Sequence, residues 1–273
     1  MSQICGWYQI SRQAHYQDKG RQSQQQQQAE QILELVRAMR QRHNRMGTRK
    51  LYHELQPELR QRGLSIGRDR FFTLLRTHDL LLRPKKRATR TTWAGSWRCE
   101  NLLAQSVITR PNQAWVCDIT YLVTEAGFGY LALVTDLFTR RIMGYDLSAS
   151  LTLDGAARAV QMAIAQAGQP LAGLIHHSDH GVQYTSGPYR ALLNHHRIRS
   201  SMGEVGNCYD NAVAERLNGI LKLEYGLDET FVDLAQAQSA VEQAVWLYNH
   251  ERPHLALGYQ KPYQVYVNYF SLN

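Results

Sequence analysis

An aspartate stands in the middle of a strand-like run, Ala-Trp-Val-Cys-Asp-Ile-Thr-Tyr at 114–121, and nothing else in the chain constrains the fold as strongly. The β-branched and aromatic residues around Asp118 read as a buried strand. A carboxylate placed there is costly unless something compensates its charge. Tyr130–Thr135 and Arg141–Leu147 read as two further strands, with Gly127 and Gly129 in the first break and Thr139-Arg140 in the second. The expectation is a three-stranded meander that carries an acid on its first strand.

Two more acids answer to it. Asp179 lies in His-His-Ser-Asp-His-Gly, straight after the apolar strand Leu171–Ile175. Glu215 lies in Asp-Asn-Ala-Val-Ala-Glu-Arg-Leu-Asn-Gly-Ile-Leu-Lys, which reads as a helix. There are 60 residues between Asp118 and Asp179, and 35 between Asp179 and Glu215. In helical register Asn211, Glu215, Asn218 and Lys222 share a polar face, with Val213, Leu217, Ile220 and Leu221 on the packing face. Asn207 or Asp210 can cap the helix start. Asp136 could replace Asp118 in this set, and Glu204 or Glu224 could replace Glu215.

Between these acids, Asp154–Ala167 reads as an Ala-rich helix with Ala156, Val160 and Ile164 on one face. A helix over Pro188–His196 and a short strand over Arg199–Met202 follow the Asp179 motif. The order βββαβαβα is that of a ribonuclease-H-like mixed five-stranded α/β sheet. It puts Asp118 on the central strand, Asp179 at the end of its neighbour and Glu215 on a helix packed over both. Leu234–Tyr248 reads as one more helix, leading into Tyr-Asn-His-Glu-Arg-Pro-His at 248–254.

Three carboxylates within about 5 Å of one another repel by roughly 3 kcal/mol per pair at an effective dielectric of 20. Unless protonated, they need cations to sit together. Ligands that are all oxygen suit Mg²⁺ or Mn²⁺. Two such ions about 4 Å apart can activate an attacking hydroxyl and stabilise a leaving 3′ oxygen. Asp118, Asp179 and Glu215 are therefore both the candidate catalytic residues and the candidate metal ligands. Lys222, two turns beyond Glu215, is placed to hold a DNA phosphate beside them. His176, His177 and His180 make a weaker case for zinc, since no cysteine accompanies them.

The first third of the chain differs in character. Met1–Gln28 is polar and ends in the tract Gln24–Gln28. Ile32, Leu35, Val36 and Met39 then mark one face of a helix. Thr48–Arg62 reads as a second helix, with Leu51, Leu55 and Leu59 apolar and Pro57 marking a kink or an early end. Gly63 is a stop, and Ser65 is a candidate cap for a third helix containing Phe71, Phe72, Leu74 and Leu75. This is an all-α, helix-turn-helix-like arrangement, with Arg68, Arg70 and Arg76 on or beside the helix that would enter a major groove. Lys85, Lys86 and Arg87 belong to a basic stretch, 83–98, that reads as an extended linker tracking phosphate backbone.

The net charge of +8 is concentrated there: 37–98 holds 17 Lys and Arg against 4 Asp and Glu, a balance of +13, which leaves −5 for the rest. Such asymmetry points to a polyanion partner for the basic part, which on the helix-turn-helix reading is double-stranded DNA. No apolar run approaches a membrane span, so no membrane partner is expected. Cys5, Cys99, Cys117 and Cys208 make no Cys-x-x-Cys pair, which argues for a reducing, cytoplasmic compartment. The expected organisation is a polar segment (1–30), a helix-turn-helix-like part (31–82), a basic linker (83–110), a catalytic core (111–228) and a C-terminal helix and tail (229–273).

Five motifs together resemble the transposases of the insertion-sequence-three family, in particular their downstream-frame product with its retroviral-integrase-like core. They are Trp-Val-Cys-Asp-Ile-Thr-Tyr, Asp-Leu-Phe-Thr-Arg-Arg-Ile-Met-Gly-Tyr, His-Ser-Asp-His-Gly-Val-Gln-Tyr, Gly-Asn-Cys-Tyr-Asp-Asn-Ala-Val-Ala-Glu, and Tyr-Asn-His-Glu-Arg-Pro-His-Leu-Ala-Leu-Gly-Tyr-Gln-Lys-Pro. Gly47-Thr-Arg-Lys-Leu and Leu80-Leu resemble the helical part that precedes the core in that family. The resemblance implies a DD(35)E triad of Asp118, Asp179 and Glu215, with Lys222 as the basic residue seven positions on. It implies Mg²⁺-dependent cleavage at terminal inverted repeats, attack of the 3′-OH on DNA, and a first joining that circularises the element. It also implies a homo-oligomer on DNA and an upstream-frame partner, separate or fused by frameshifting. Glu204, where relatives carry small and basic residues, and Cys208, where they carry Pro, depart from the pattern. The rivals are a catalytically silent end-binding factor or repressor, and a ribonuclease acting on RNA–DNA hybrids.

Overall fold

The computed structural model describes residues 12–82, 97–104, 106–203 and 212–271. The chain forms two compact units, Met1–Pro84 and Lys85–Asn273. Among the described residues no helix is long and apolar enough to cross a membrane.

The first unit is helical. Helix α1 (Arg12–Arg42) is one continuous element that takes in the glutamine tract. It packs Ile32, Leu33 and Val36 against α2 (Thr48–Gln61) and α3 (Arg68–Thr77), which contribute Leu51, Leu55, Leu59, Phe71 and Leu75. α2 runs straight through Pro57. Leu55 and Leu59, on either side of it, are both buried, and their packing outweighs the one hydrogen bond a proline nitrogen cannot donate. The helix closes at Gly63, whose φ of 66° is left-handed. α3 is preceded by Gly67, which provides no side-chain cap, so Ser65 is not the cap expected from the sequence.

The second unit is built on a mixed sheet of order β3-β2-β1-β4-β5. β1 (Ala114–Thr124), β2 (Gly127–Asp136) and β3 (Ile142–Ser148) form the antiparallel meander. β4 (Ile175–Ser178) and β5 (Arg199–Met202) add in parallel beside β1. A sixth strand, β6 (Thr230–Phe231), pairs with the far end of β1 and has no counterpart in the five-stranded expectation. The helices are α4 (Leu153–Ala167), α5 (Val182–Thr185), α6 (Gly187–His195), α7 (Ala212–Tyr225), α8 (Leu234–His250) and α9 (Pro262–Ser271). This is the ribonuclease-H-like order.

Two boundaries depart from the sequence reading. Gly127 and Gly129 lie inside β2 rather than in the break, which is Glu125-Ala126. A Cβ on Gly129 would meet the side chains of Leu234 and Leu147 at 2.9 and 3.0 Å, so the glycine serves packing. The strand expected at 171–175 begins only at Ile175, because Gly173 turns the chain at a φ of 85°.

Each face of the sheet has its own core. Trp115, Cys117, Ala132, Val134 and Met143 pack under α4 and α6. Leu122, Leu131, Leu133, Ile142 and Leu147 pack under α7 and α8. Strand alternation explains the split on β1 and β2. On β3 the ladder skips Met143, a register shift that puts Ile142 and Leu147 on the same face despite their odd separation. α8 supplies Ala237, Val241, Ala244 and Tyr248 to the α7 side, so the segment after 228 shares the packing of the core.

α4 lies directly on β3 at Gly144, where a Cβ would stand 2.0 Å from the carbonyl oxygen of Ala159. The obstacle is backbone and cannot swing aside. Gly144→Ala is therefore expected to lower stability by about 3 kcal/mol, the upper range for overpacking, read by urea unfolding followed through the fluorescence of buried Trp115.

Candidate active site

Asp118 sits on the central strand, opposite Leu133 on β2. Its carboxylate accepts hydrogen bonds from the backbone N–H of Ile119 (2.9 Å) and from Nδ2 of Asn218 on α7 (2.6 Å). The side chain is only partly open to solvent, and burial, with the charge of Asp179 next and that of Glu215 smaller, pushes its pKa up to about 7. The two hydrogen bonds hold it down only in part.

Asp179 follows the last residue of β4. Cys117 and Ser178 are paired across β1 and β4, so Asp118 and Asp179 are the next residues along two adjacent parallel strands. Asp179 accepts from the N–H of Gly181 at 2.9 Å, which fixes the turn into α5. Glu215 lies in the first turn of α7 and is exposed. The helix is anchored by Ala214, Leu217, Ile220 and Leu221. Ala214, not the expected Val213, takes the first buried position. The Asn218–Asp118 bond ties this helix to β1, and the charge of Glu215 reaches Asp118. Among the described residues no group of three or more His, Cys, Asp or Glu side chains is gathered closely enough to hold a metal ion. Asp118 feels the charge of the other two acids, and the three have not converged into a ligand set. The Oδ1 of Asn218 is buried there without a hydrogen-bond partner.

Lys222, half-buried, sets its ammonium 4.3 Å from the centroid of the Tyr121 ring. Burial lowers its pKa, against the opposing pull of Asp118 and Asp228. Phe128 meets the Tyr121 ring edge-on at 5.4 Å. The sequence signalled the Lys222 face but not Tyr121, because that meeting joins a strand to a helix far along the chain.

Two of the alternative acids are occupied elsewhere. Asp136 is fully buried and accepts from the N–H of Asn112 and from both the N–H and Oγ1 of Thr139, each at 2.7 Å, which locks the β2–β3 turn. Glu224 takes two bonds from Arg252, at 2.7 and 2.8 Å. The histidines also part company. His176 meets the Tyr189 hydroxyl at 2.8 Å, and burial pushes its pKa down to about 4, so it is neutral at pH 7. His177 Nδ1 meets Ser201 Oγ at 2.8 Å, and His180 Nε2 meets the carbonyl of Gly203 at 2.7 Å. They form no common site.

Arg68, Arg70 and Arg76 are all exposed on α3, and Arg68 Nε donates to Asp69 at 2.9 Å. Lys85, Lys86 and Arg87 lie outside the described residues, as do Glu204, Asn207, Cys208, Asp210 and Asn211. Sequence reasoning missed the work of the 248–254 motif. Asn249 brackets Ile142 at the start of β3, accepting from its N–H at 2.9 Å and donating to its carbonyl at 3.0 Å. The Tyr248 hydroxyl donates to the Arg140 carbonyl at 3.0 Å.

This sheet order, with acids on the central strand, just past its parallel neighbour and on a helix packed over them, defines an integrase-type core of the ribonuclease-H class. The integrase core domain family matches residues 108–208, and a second integrase core family matches 196–262. The insertion element IS600 uncharacterized 31 kDa protein of Shigella sonnei is 37% identical over 221 residues, covering 79% of this chain and 81% of that protein. The transposase for insertion sequence element IS629 of Shigella sonnei is 31% identical over 267 residues, covering 97% and 88%. The HTLV-2 integrase catalytic core domain, solved with magnesium, superposes with a TM-score of 0.46 at 22% identity, over 57% of this chain and 97% of that one. The chain belongs to the insertion-sequence-three family of DNA transposases, enzymes of the nucleotidyl-transferase type.

Proposed function

We propose that this transposase cleaves the terminal inverted repeats of its insertion sequence and transfers the freed 3′ end, with Asp118, Asp179 and Glu215 as its catalytic triad. The observation that carries the reading is the register of β1 and β4, which sets Asp118 beside Asp179, with α7 holding Glu215 over them. The integrase core family depends on divalent metal. The residues fit such an ion: the donors are all oxygen, burial and then its neighbours' charge disfavour the ionised Asp118 carboxylate, and the Asn218 oxygen beside it lacks a partner. Asp118, Asp179 and Glu215 would hold two magnesium ions, with manganese able to replace them. Bound there, they would supply activation of the attacking hydroxyl and neutralisation of the leaving 3′ oxygen.

The protein's own contribution is placement. β1 and β4 hold two carboxylates in fixed register while α7 brings the third. Asn218 donates to the Asp118 carboxylate and orients it. Lys222 offers a cation for a DNA phosphate close to Asp118. The exposed arginines of α3 (Arg68, Arg70 and Arg76) read the duplex in helix-turn-helix fashion, and Lys85, Lys86 and Arg87 track its backbone. The enzyme works as a homo-oligomer on DNA, with the upstream-frame protein as a further partner.

The test is cleavage of inverted-repeat DNA in Mg²⁺ by wild type beside Glu215→Gln, with the upstream-frame protein present. Wild type is expected to nick at the element ends and the variant to lose at least about 10³-fold in rate. Equal nicking by both removes Glu215 from the mechanism. Arg68→Ala and Arg70→Ala are each expected to make the salt dependence of DNA binding shallower by about 0.9 per lost phosphate contact. An unchanged slope places that arginine off the backbone.

A further inference from the structure

A second concentration of positive charge lies in the second unit, away from the acids. α6, the turn after it and the start of β5 line a cleft of about 400 Å³ with Arg190, Arg197 and Arg199, walled by Trp97. The Arg190 guanidinium stacks on the Trp97 ring at 4.7 Å, and its Nε is buried without a hydrogen-bond partner. Among the described residues none of the three arginines forms an ion pair with a carboxylate. Three guanidinium groups around one opening repel each other, and an anion relieves them.

Arg197 carries an independent sign. α6 ends with the N–H of Ile198 on the carbonyl of Leu193 and that of Arg197 on Asn194, both at 2.9 Å, and Arg197 itself is left-handed at a φ of 55°. That position is usually glycine, as Gly63 is at the end of α2. An arginine there costs backbone strain and adds a charge to the cleft lining.

We propose that this cleft is a second duplex-binding site, taking backbone phosphates of the DNA that the acids act on. Arg199 pairs with Ile175 at the start of β4, whereas Asp179 follows its end, so cleft and acids mark opposite ends of the same two strands. In the sequence, the stretch that precedes Trp97 carries Arg83, Lys85, Lys86, Arg87 and Arg90, the same sign of charge as the cleft. The identity of the polyanion rests on the transposase reading. The site does not depend on which acids are catalytic.

The test measures binding of the full chain to a labelled inverted-repeat duplex by fluorescence anisotropy across a salt series, in EDTA so that no cleavage intervenes. Arg197→Gly is expected to keep or raise the melting temperature while making the salt slope shallower by about 0.9, and Arg197→Lys to keep the slope. A triple variant, Arg190→Gln with Arg197→Gly and Arg199→Gln, is expected to lose up to about 3 in slope. A folded triple variant with the wild-type slope overturns the proposal, as does an Arg197→Gly protein that melts lower and binds DNA unchanged. Mg²⁺-dependent nicking by wild type is scored separately. Its absence speaks against the catalytic reading, while the slopes alone decide this one.

Discussion

Replacing Asp118 by Asn is expected to cost at least about 10³-fold in strand cleavage while leaving the protein more stable at neutral pH than wild type in the absence of metal. The two effects share a cause. Burial, the Asp179 charge and the Glu215 charge push the folded pKa of Asp118 up to about 7, above its ordinary 3.8. The folded chain therefore holds a proton that the unfolded chain has released. The stability this contributes is whole below about pH 4 and is lost as pH rises toward and through 7, a loss on the order of a few kcal/mol. Thermal melts in EDTA at pH 5 and pH 8 should show wild type falling across the interval and Asp118→Asn changing much less. Mg²⁺ should raise the wild-type melting temperature at pH 8 and leave that of the variant nearly unmoved. Identical pH profiles for the two proteins would mean that Asp118 carries no such electrostatic load.

Arg252→Ala is expected to destabilise the second unit by about 3 kcal/mol, because it removes the buried guanidinium that takes up the charge of the partly buried Glu224 carboxylate. Arg252 is 1% exposed. Its two bonds to Glu224 tie the segment after α8 to the last turn of α7, the helix that carries Glu215. The loss should appear in urea unfolding as a lower midpoint. Arg252→Met paired with Glu224→Leu should recover most of the stability, since removing both charges leaves neither unpaired. If Arg252→Ala melts like wild type, the pair is not holding α7.

Much of this protein is legible one residue at a time. Alternation along β1 and β2, the 3.6-residue spacing in α7 and the Ala-rich face of α4 follow from which side chains avoid water. Asp118 also stands out in the bare amino-acid order, as a carboxylate among strand-forming residues. The elements whose ends differ from the pattern were local contests. Pro57 was overruled by buried leucines around it, Gly129 belongs to a strand because Leu234 and Leu147 press on it, and Gly173 delays β4.

Sequence by itself determined the kinds of element, their order and the charges they carry, since hydrophobic period and side-chain chemistry act within a few residues of each position. Only the tertiary structure decided which of the other acids are bonded elsewhere. Asp136 looked equal to Asp118 until Asn112 and Thr139 closed around it, and Glu224 looked equal to Glu215 until Arg252 claimed it. Those choices, like the meeting of Lys222 with Tyr121 and the gathering of Arg190, Arg197 and Arg199, depend on packing between segments far apart in the chain. Coulomb and hydrogen-bond energies fall with distance in space, and distance in space is what a linear pattern does not contain.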